Sequence, residues 1–348
     1  MKQMKRITHI LLALTAIIAV SCSKHDTERP EQTHPEQSNS YIFFEAGVMD
    51  VVETKADLLT GESLPAEDGT AFGVVGFYED GEYIFDGYDD KIAKVYRNDG
   101  AFQYDHLAPW MGTLHTFHAF YPYSALNSNI KVGTDNIPYI DYTQPSTPDA
   151  MIDILGTCEQ FTNNASYTPV ELTFKHLLWA FNIEIKNSQT EEITTPTTSI
   201  QNPDLKIRKV TFTVSGFPEK VSLMLNSGLT CTTTSIFESP QSYVIYSSDE
   251  GQTISKDKSQ KYGPLLFVPV AASTGLHYKV TIEYTTEGGS DDTYLYPSTG
   301  YKTVQSAFTR GNVYSLTINK TNDKFFIGSI YEDGYWDDFG ENIDHEFN

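Results

Sequence analysis

The sequence predicts an all-β protein of sandwich or barrel type, and three observations carry that prediction. From Tyr41 onward, short apolar runs, period-2 or continuous, alternate with turns rich in Gly, Pro, Asn and Asp. Tyr (22), Phe (20), Thr and Val are abundant, a composition suited to pleated, half-buried surfaces. Few windows offer an apolar stripe at three-to-four-residue spacing long enough for a helix. Many short strands at such spacing build sandwiches or barrels.

The chain opens with a targeting segment. Met1–Arg6 carries Lys2, Lys5 and Arg6 and no acid. Ile7–Val20 is apolar, of secretory h-region length and too short to span a bilayer. It ends at Ala19-Val20-Ser21-Cys22, a small-residue cleavage site followed directly by a cysteine. That arrangement resembles the lipobox of bacterial lipoproteins, in which the cysteine is acylated and becomes the mature first residue. The expectation is a signal peptide over 1–21 and lipidation at Cys22. The alternative is an ordinary signal peptide with an incidental cysteine. Residues 22–40 are polar, contain two prolines and lack apolar periodicity, so they form a tether between lipid and folded chain.

The expected strands follow in order: Tyr41–Met49 (extended to Val52 by its apolar residues), Ala71–Tyr78, Lys94–Tyr96, Thr113–Tyr121, Glu171–Lys186, Arg208–Val214, Leu265–Val270, Tyr278–Tyr284, Asn312–Ile318 and Lys324–Tyr331. Turn signals fall between them at Glu79-Asp80-Gly81, Asn98-Asp99-Gly100 and Glu287-Gly288-Gly289. Ser188–Pro203, rich in Thr with two prolines, marks either a domain boundary or a long surface loop. As a boundary it divides the chain into 41–190 and 191–348, in keeping with a length that exceeds one comfortable core.

Composition excludes several function classes. Removing residues 1–21 takes three of the 24 cations and none of the 46 anions, leaving a formal net charge of −25. So negative a chain does not suit nucleic acid or an anionic lipid surface. After Cys22 only Cys158 and Cys231 remain, either paired or free, and no Cys/His spacing suggests zinc. His115 and His118 lie three apart in a predicted strand, so they point to opposite faces and do not chelate together. His176 follows Phe174-Lys175 inside an apolar strand, as a hydrogen-bonded histidine at a core edge would. Asp89-Asp90 and the C-terminal acids lack the D-x-D-x-D-G spacing of a calcium loop. There is no G-x-S-x-G, no phosphate-binding glycine loop and no supported Cys/His/Asn set. The sequence points to no enzyme, no cofactor and no metal.

Several segments, in order, resemble the fimbrillin family, the pilin-like lipoproteins that build type V pili of anaerobic gut and oral bacteria. They are Ile42-Phe43-Phe44-Glu45-Ala46-Gly47, Phe72-Gly73-Val74-Val75-Gly76-Phe77-Tyr78, Thr116-Phe117-His118-Ala119-Phe120-Tyr121-Pro122, Leu172-Thr173-Phe174-Lys175-His176 with Phe181–Lys186, and Phe308-Thr309-Arg310-Gly311-Asn312-Val313-Tyr314. Trp179 departs from the pattern, which more often has a small residue there. The resemblance implies two tandem transthyretin-like β-sandwich domains and a location at the outer membrane or cell surface, in fimbriae after processing. It also implies assembly by strand exchange. A lipidated precursor, held to the membrane by its N-terminal lipid, is cut after a basic residue behind its first strand. That strand leaves, and a C-terminal strand of another pilus subunit fills the groove.

On this chain Lys55 is the first basic residue behind the first strand, followed by a polar stretch, Asp57–Thr70, suited to cleavage. The candidate donor comprises Phe325, Ile327, Ile330, Tyr331, Trp336 and Phe339. Simple alternation places Phe325, Ile327 and Tyr331 on one face and Phe326 and Ile330 on the other. The expected function is a stalk or tip subunit of a surface pilus, with a host or bacterial surface receptor as a further partner. The alternative is a glycan-binding surface lipoprotein that stays anchored and monomeric.

Overall fold

A computed structural model of the chain describes residues 41–48, 64–163, 168–189, 193–195, 198–200, 204–271, 276–286, 291–304, 306–321 and 324–335. The signal peptide, the tether, Cys22, Lys55, Trp336 and Phe339 lie outside the described residues. The strands of the first half are β1 (Phe44–Val48), β2 (Ala71–Tyr78), β3 (Ala93–Asn98), β4 (Ala101–Gln103), β5 (Leu114–Tyr121), β6 (Ile130–Val132), β7 (Pro138–Thr143), β8 (Leu155–Thr162), β9 (Val170–His176) and β10 (Trp179–Asn187). Next come β11 (Ile193–Thr195), β12 (Thr198–Ile200), β13 (Leu205–Ser215), β14 (Pro218–Met224), β15 (Cys231–Ile236) and β16 (Gln241–Ile254). The series ends with β17 (Lys258–Phe267), β18 (Leu276–Thr286), β19 (Asp291–Tyr296), β20 (Lys302–Val304), β21 (Asn312–Lys320) and β22 (Phe325–Tyr335). One helical turn, Tyr123–Leu126, interrupts them. The protein is all-β, as expected.

Local sequence explains the main elements. In β2 a run of apolar residues is buried on both faces: Phe72 and Val74 join one hydrophobic cluster, Val75 and Phe77 the other. Gly73 faces the second cluster directly opposite Phe120, whose ring lies where a Cβ would stand, 2.1 Å from Cζ. The hairpin from β3 to β4 turns through Asp99 (φ +49°) and Gly100 (φ +79°), the pair of positive φ angles a two-residue turn needs for twisted strands. The run Glu171–Lys186, expected as one strand, is two. A bend at Leu177-Leu178 carries the chain from β9 into a different sheet at β10 while both leucines stay buried. Leu177 N–H donates to the Ile154 carbonyl at 2.8 Å, so the bend leaves that amide satisfied.

Among the described residues the largest sheet has the order β1-β9-β8-β5-β2-β3-β4. It curls, because Ile42, two residues before β1 at one end, hydrogen-bonds the segment that follows β4 at the other. Its inner face encloses a cluster built from Ile42, Phe44, Phe72, Val74, Phe117 and Phe174 among others. Further on, the sheets β17-β10-β21-β22 and β16-β13-β18-β19 pack face to face. Phe181 of one lies 4.4 Å from Phe212 of the other, ring to ring, within the larger cluster. A third sheet, β15-β14-β7-β6, and the outer face of β2 and β5 join that cluster.

Strands from either side of position 190 share sheets: β10 lies between β17 and β21, and β7 pairs with β14. The smaller cluster takes no residue beyond Phe174, whereas the larger takes Val75, Phe77, Phe120, Ile140 and Ile154 from the first half as well as the buried apolar residues from Leu177 to Phe325.

Candidate assembly site

The first strand is a plug. Ile42 (0% exposed) and Phe44 (3%) point into the smaller cluster, whose other walls come from β2, β5 and β9. The Phe44 ring is surrounded by Phe117 at 5.5 Å, Tyr104 at 5.7 Å, Phe85 at 6.2 Å and Phe72 at 6.3 Å. Burying these two side chains contributes about 3–6 kcal/mol, before aromatic pairing adds about 0.5–1.5 kcal/mol per good pair. The strand lies at a sheet edge and pairs in parallel with β9, from Phe44 opposite Val170 to Val48 opposite Phe174.

Its other side is held by a strap, residues 104–109. Ile42 N–H donates to the Ala108 carbonyl at 2.9 Å, and Tyr41 bridges Pro109. The Tyr104 hydroxyl donates to the Ile42 carbonyl at 2.8 Å and accepts from Ala108 N–H at 3.1 Å. Burial pushes the Tyr104 pKa well up, which keeps the hydroxyl protonated as a donor. Sequence reasoning missed this strap. Tyr104 stands in an irregular segment with no periodicity, so nothing local marks it as a partner of a strand sixty residues away.

At the far end of the chain, β22 pairs antiparallel with β21 as an edge strand of its own sheet. The expected face assignment holds for Phe325, Ile327 and Phe326 but not beyond them. Leu316 opposes Ile330 and Ile318 opposes Ile327, so three residues of β22 span two of β21. The bulge at Gly328-Ser329 inverts the alternation. Ile330 consequently packs on the core beside Ile327, while Tyr331 (37% exposed) turns out with Phe326 (48%). Phe325 is buried between Tyr294 at 4.5 Å and Tyr284 at 4.9 Å.

The other residues singled out in the sequence have packing roles. His115 is buried on the inner face beside Trp110 at 4.8 Å. His118 points to the opposite face, its Nδ1 2.6 Å from the Leu225 carbonyl. Burial lowers the pKa of both. His176 is buried with Nδ1 3.0 Å from Asp153 Oδ1. Trp179 is a core anchor: its ring stacks on Phe308 at 4.5 Å and its Nε1–H donates to the Val268 carbonyl at 2.7 Å. Cys158 and Cys231 are both free thiols. Among the described residues, no three His, Cys, Asp or Glu side chains are grouped to hold a metal ion.

The fold recurs in a solved structure, and others are similar to the chain. A fimbrial protein from Bacteroides vulgatus is 16% identical, with a TM-score of 0.50 over 85% of this chain and 99% of that one. A candidate cell adhesion protein from Bacteroides uniformis is 17% identical, with a TM-score of 0.48 over 84% of this chain and 99% of that one. The tip fimbrial protein Mfa3 from Porphyromonas gingivalis is 9% identical, with a TM-score of 0.41 over 84% of this chain and 99% of that one. Comparison with curated proteins found no match. A family model described as fimbrillin-like matches residues 54–330, which takes in all but the first of the described strands and most of the last. The chain belongs to the fimbrillin-like family.

Proposed function

We propose that this pilus-type protein is a stalk or tip subunit, exported as a lipoprotein and assembled by strand exchange. The observation that supports this most is β1. It is a short edge strand whose apolar side chains fill a core, and it precedes Lys55, the expected cutting site. A cut there leaves β1 attached through non-covalent contacts alone. Its loss would expose the β9 edge and an aromatic trough, a template for another strand. The donor in this reading is the C-terminal segment, β22 with Trp336 and Phe339 after it, from another subunit.

Before processing, the acyl group on Cys22 holds the precursor to the outer membrane. After it, the subunit belongs to the fimbria, where a host or bacterial surface receptor is its further partner. Replacing Cys22 by Ala is expected to abolish incorporation of labelled fatty acid and membrane retention of the precursor. Normal acylation of that variant contradicts lipoprotein export.

A further inference from the structure

A cleft of about 660 Å³ opens where four segments meet: the end of β9, the β14–β15 hairpin, the residues after β17 and the approach to β21. Nothing described so far uses it. Its volume falls in the range of about 300–1,000 Å³ that takes an organic ligand rather than a bare ion. The apolar wall is held rigidly. Val270 and Phe308 exchange two backbone hydrogen bonds of 2.9 Å, and Trp179 stacks behind the Phe308 ring. Leu229 completes the wall from a left-handed backbone conformation (φ +46°) that leucine rarely adopts. Asn226 fixes that turn: its carbonyl accepts from Leu229 N–H at 2.9 Å and its Oδ1 from Thr230 N–H at 3.1 Å. Backbone strain that the surroundings hold in place gathers at ligand sites.

The polar wall carries one sign of charge. Among the described residues that line the cleft there is no aspartate or glutamate, in a chain with 46 acids and 24 bases. Arg310 lines it but already has an interaction within the fold, and His176 is held by Asp153. Lys175 is different: its ammonium has no ion pair with any described residue. A lysine head is a compact point charge, so it matches a single anionic group. One such charge beside a fixed apolar wall selects an anion that carries an apolar body.

We propose that this cleft binds a small organic carboxylate, with its apolar body against Leu229, Val270 and Phe308 and its carboxylate toward Lys175. The site holds whether or not the protein assembles by strand exchange.

Cysteine labelling tests the site in the full-length protein. Cys231 lies in the cleft wall and Cys158 outside it, and burial pushes both thiols up to about 11, so Cys158 is a matched internal reference. Alkylation by uncharged iodoacetamide is followed at each cysteine by peptide mass spectrometry. The probes are naphthalene-2-carboxylate, its uncharged counterpart naphthalene-2-methanol, and acetate. The naphthoate is expected to slow Cys231 several-fold and saturably, at concentrations at least ten-fold below the alcohol, with Cys158 unchanged and acetate without effect. In Lys175→Met the preference for acid over alcohol should fall below two-fold, while Cys158 reacts as before. No protection by millimolar naphthoate, equal potency of acid and alcohol, or a preference that survives Lys175→Met would each overturn the proposal. So would acetate protecting as well as naphthoate, since the apolar wall would then contribute nothing.

Discussion

At the scale of single residues, β1 is held through the Phe44 ring and the Tyr104 hydroxyl. Phe44 sits among four aromatic rings, so Phe44→Ala removes most of the plug and leaves a cavity, at a cost of about 3–5 kcal/mol to the local unit. Tyr104→Phe is subtler: it strips the hydroxyl that joins the Ile42 carbonyl to Ala108 N–H and costs about 1–3 kcal/mol. Amide hydrogen exchange over Phe44–Val48 is expected to accelerate strongly in the first variant and measurably in the second, while exchange in β13 and β18 stays as it was. His118 sets a pH dependence. Its folded-state pKa is lowered by burial, so near neutrality both states are uncharged and stability is complete. As pH falls below the ordinary value of 6.5 the unfolded chain takes up the proton first, and stability is lost. His115 acts in the same direction. The thermal midpoint should drop between pH 7.5 and 5.5, and His118→Asn should shrink that drop even if it lowers the midpoint at both pH values.

At the scale of elements, the bulge in β22 gives a contrast between neighbours. Ile330→Ser removes a side chain packed on the core and is expected to cost about 1–2 kcal/mol, whereas Tyr331→Ser, on the solvent side, should stay within about 0.5 kcal/mol. Denaturant unfolding of the two variants checks this, and the reverse order would restore simple alternation. The bulge was not legible in the sequence because a one-residue register shift has no signature besides Gly328, and glycine has many uses. The elements that were legible have strong local patterns. The apolar run of β2, the Asn98-Asp99-Gly100 turn and the alternation of β13 and β18 fall where periodicity and turn chemistry put them. The strands that were missed, among them β8, β15 and β16, carry Thr, Ser and Gln with few buried side chains. Ladder hydrogen bonds to neighbours define such strands more than hydrophobic pattern does, and those neighbours are remote in sequence.

At the scale of the whole molecule, the two hydrophobic clusters meet across β2 and β5, whose opposite faces serve one each. His118 crosses that junction to the Leu225 carbonyl, so the curled sheet and the later sheets are tied by packing and by a hydrogen bond. The candidate site is split between the ends of the sequence. β1 plugs the smaller cluster and β22 closes the edge of a sheet in the larger. The resemblance pointed to both ends as an expectation, and the geometry of the plug came from the fold, because its aromatic walls are gathered from four separate segments. The central claim is that β1 can be released once the chain behind it is cut. Its most direct measurement is limited trypsin treatment of folded, full-length protein, followed by mass spectrometry of the products and sizing under native conditions. The expected result is a first cut at Lys55, loss of the N-terminal fragment carrying Ile42 and Phe44, and polymers that appear only after that loss. A first cut elsewhere with Lys55 protected, or a cleaved protein that sheds the fragment and remains monomeric, would contradict it.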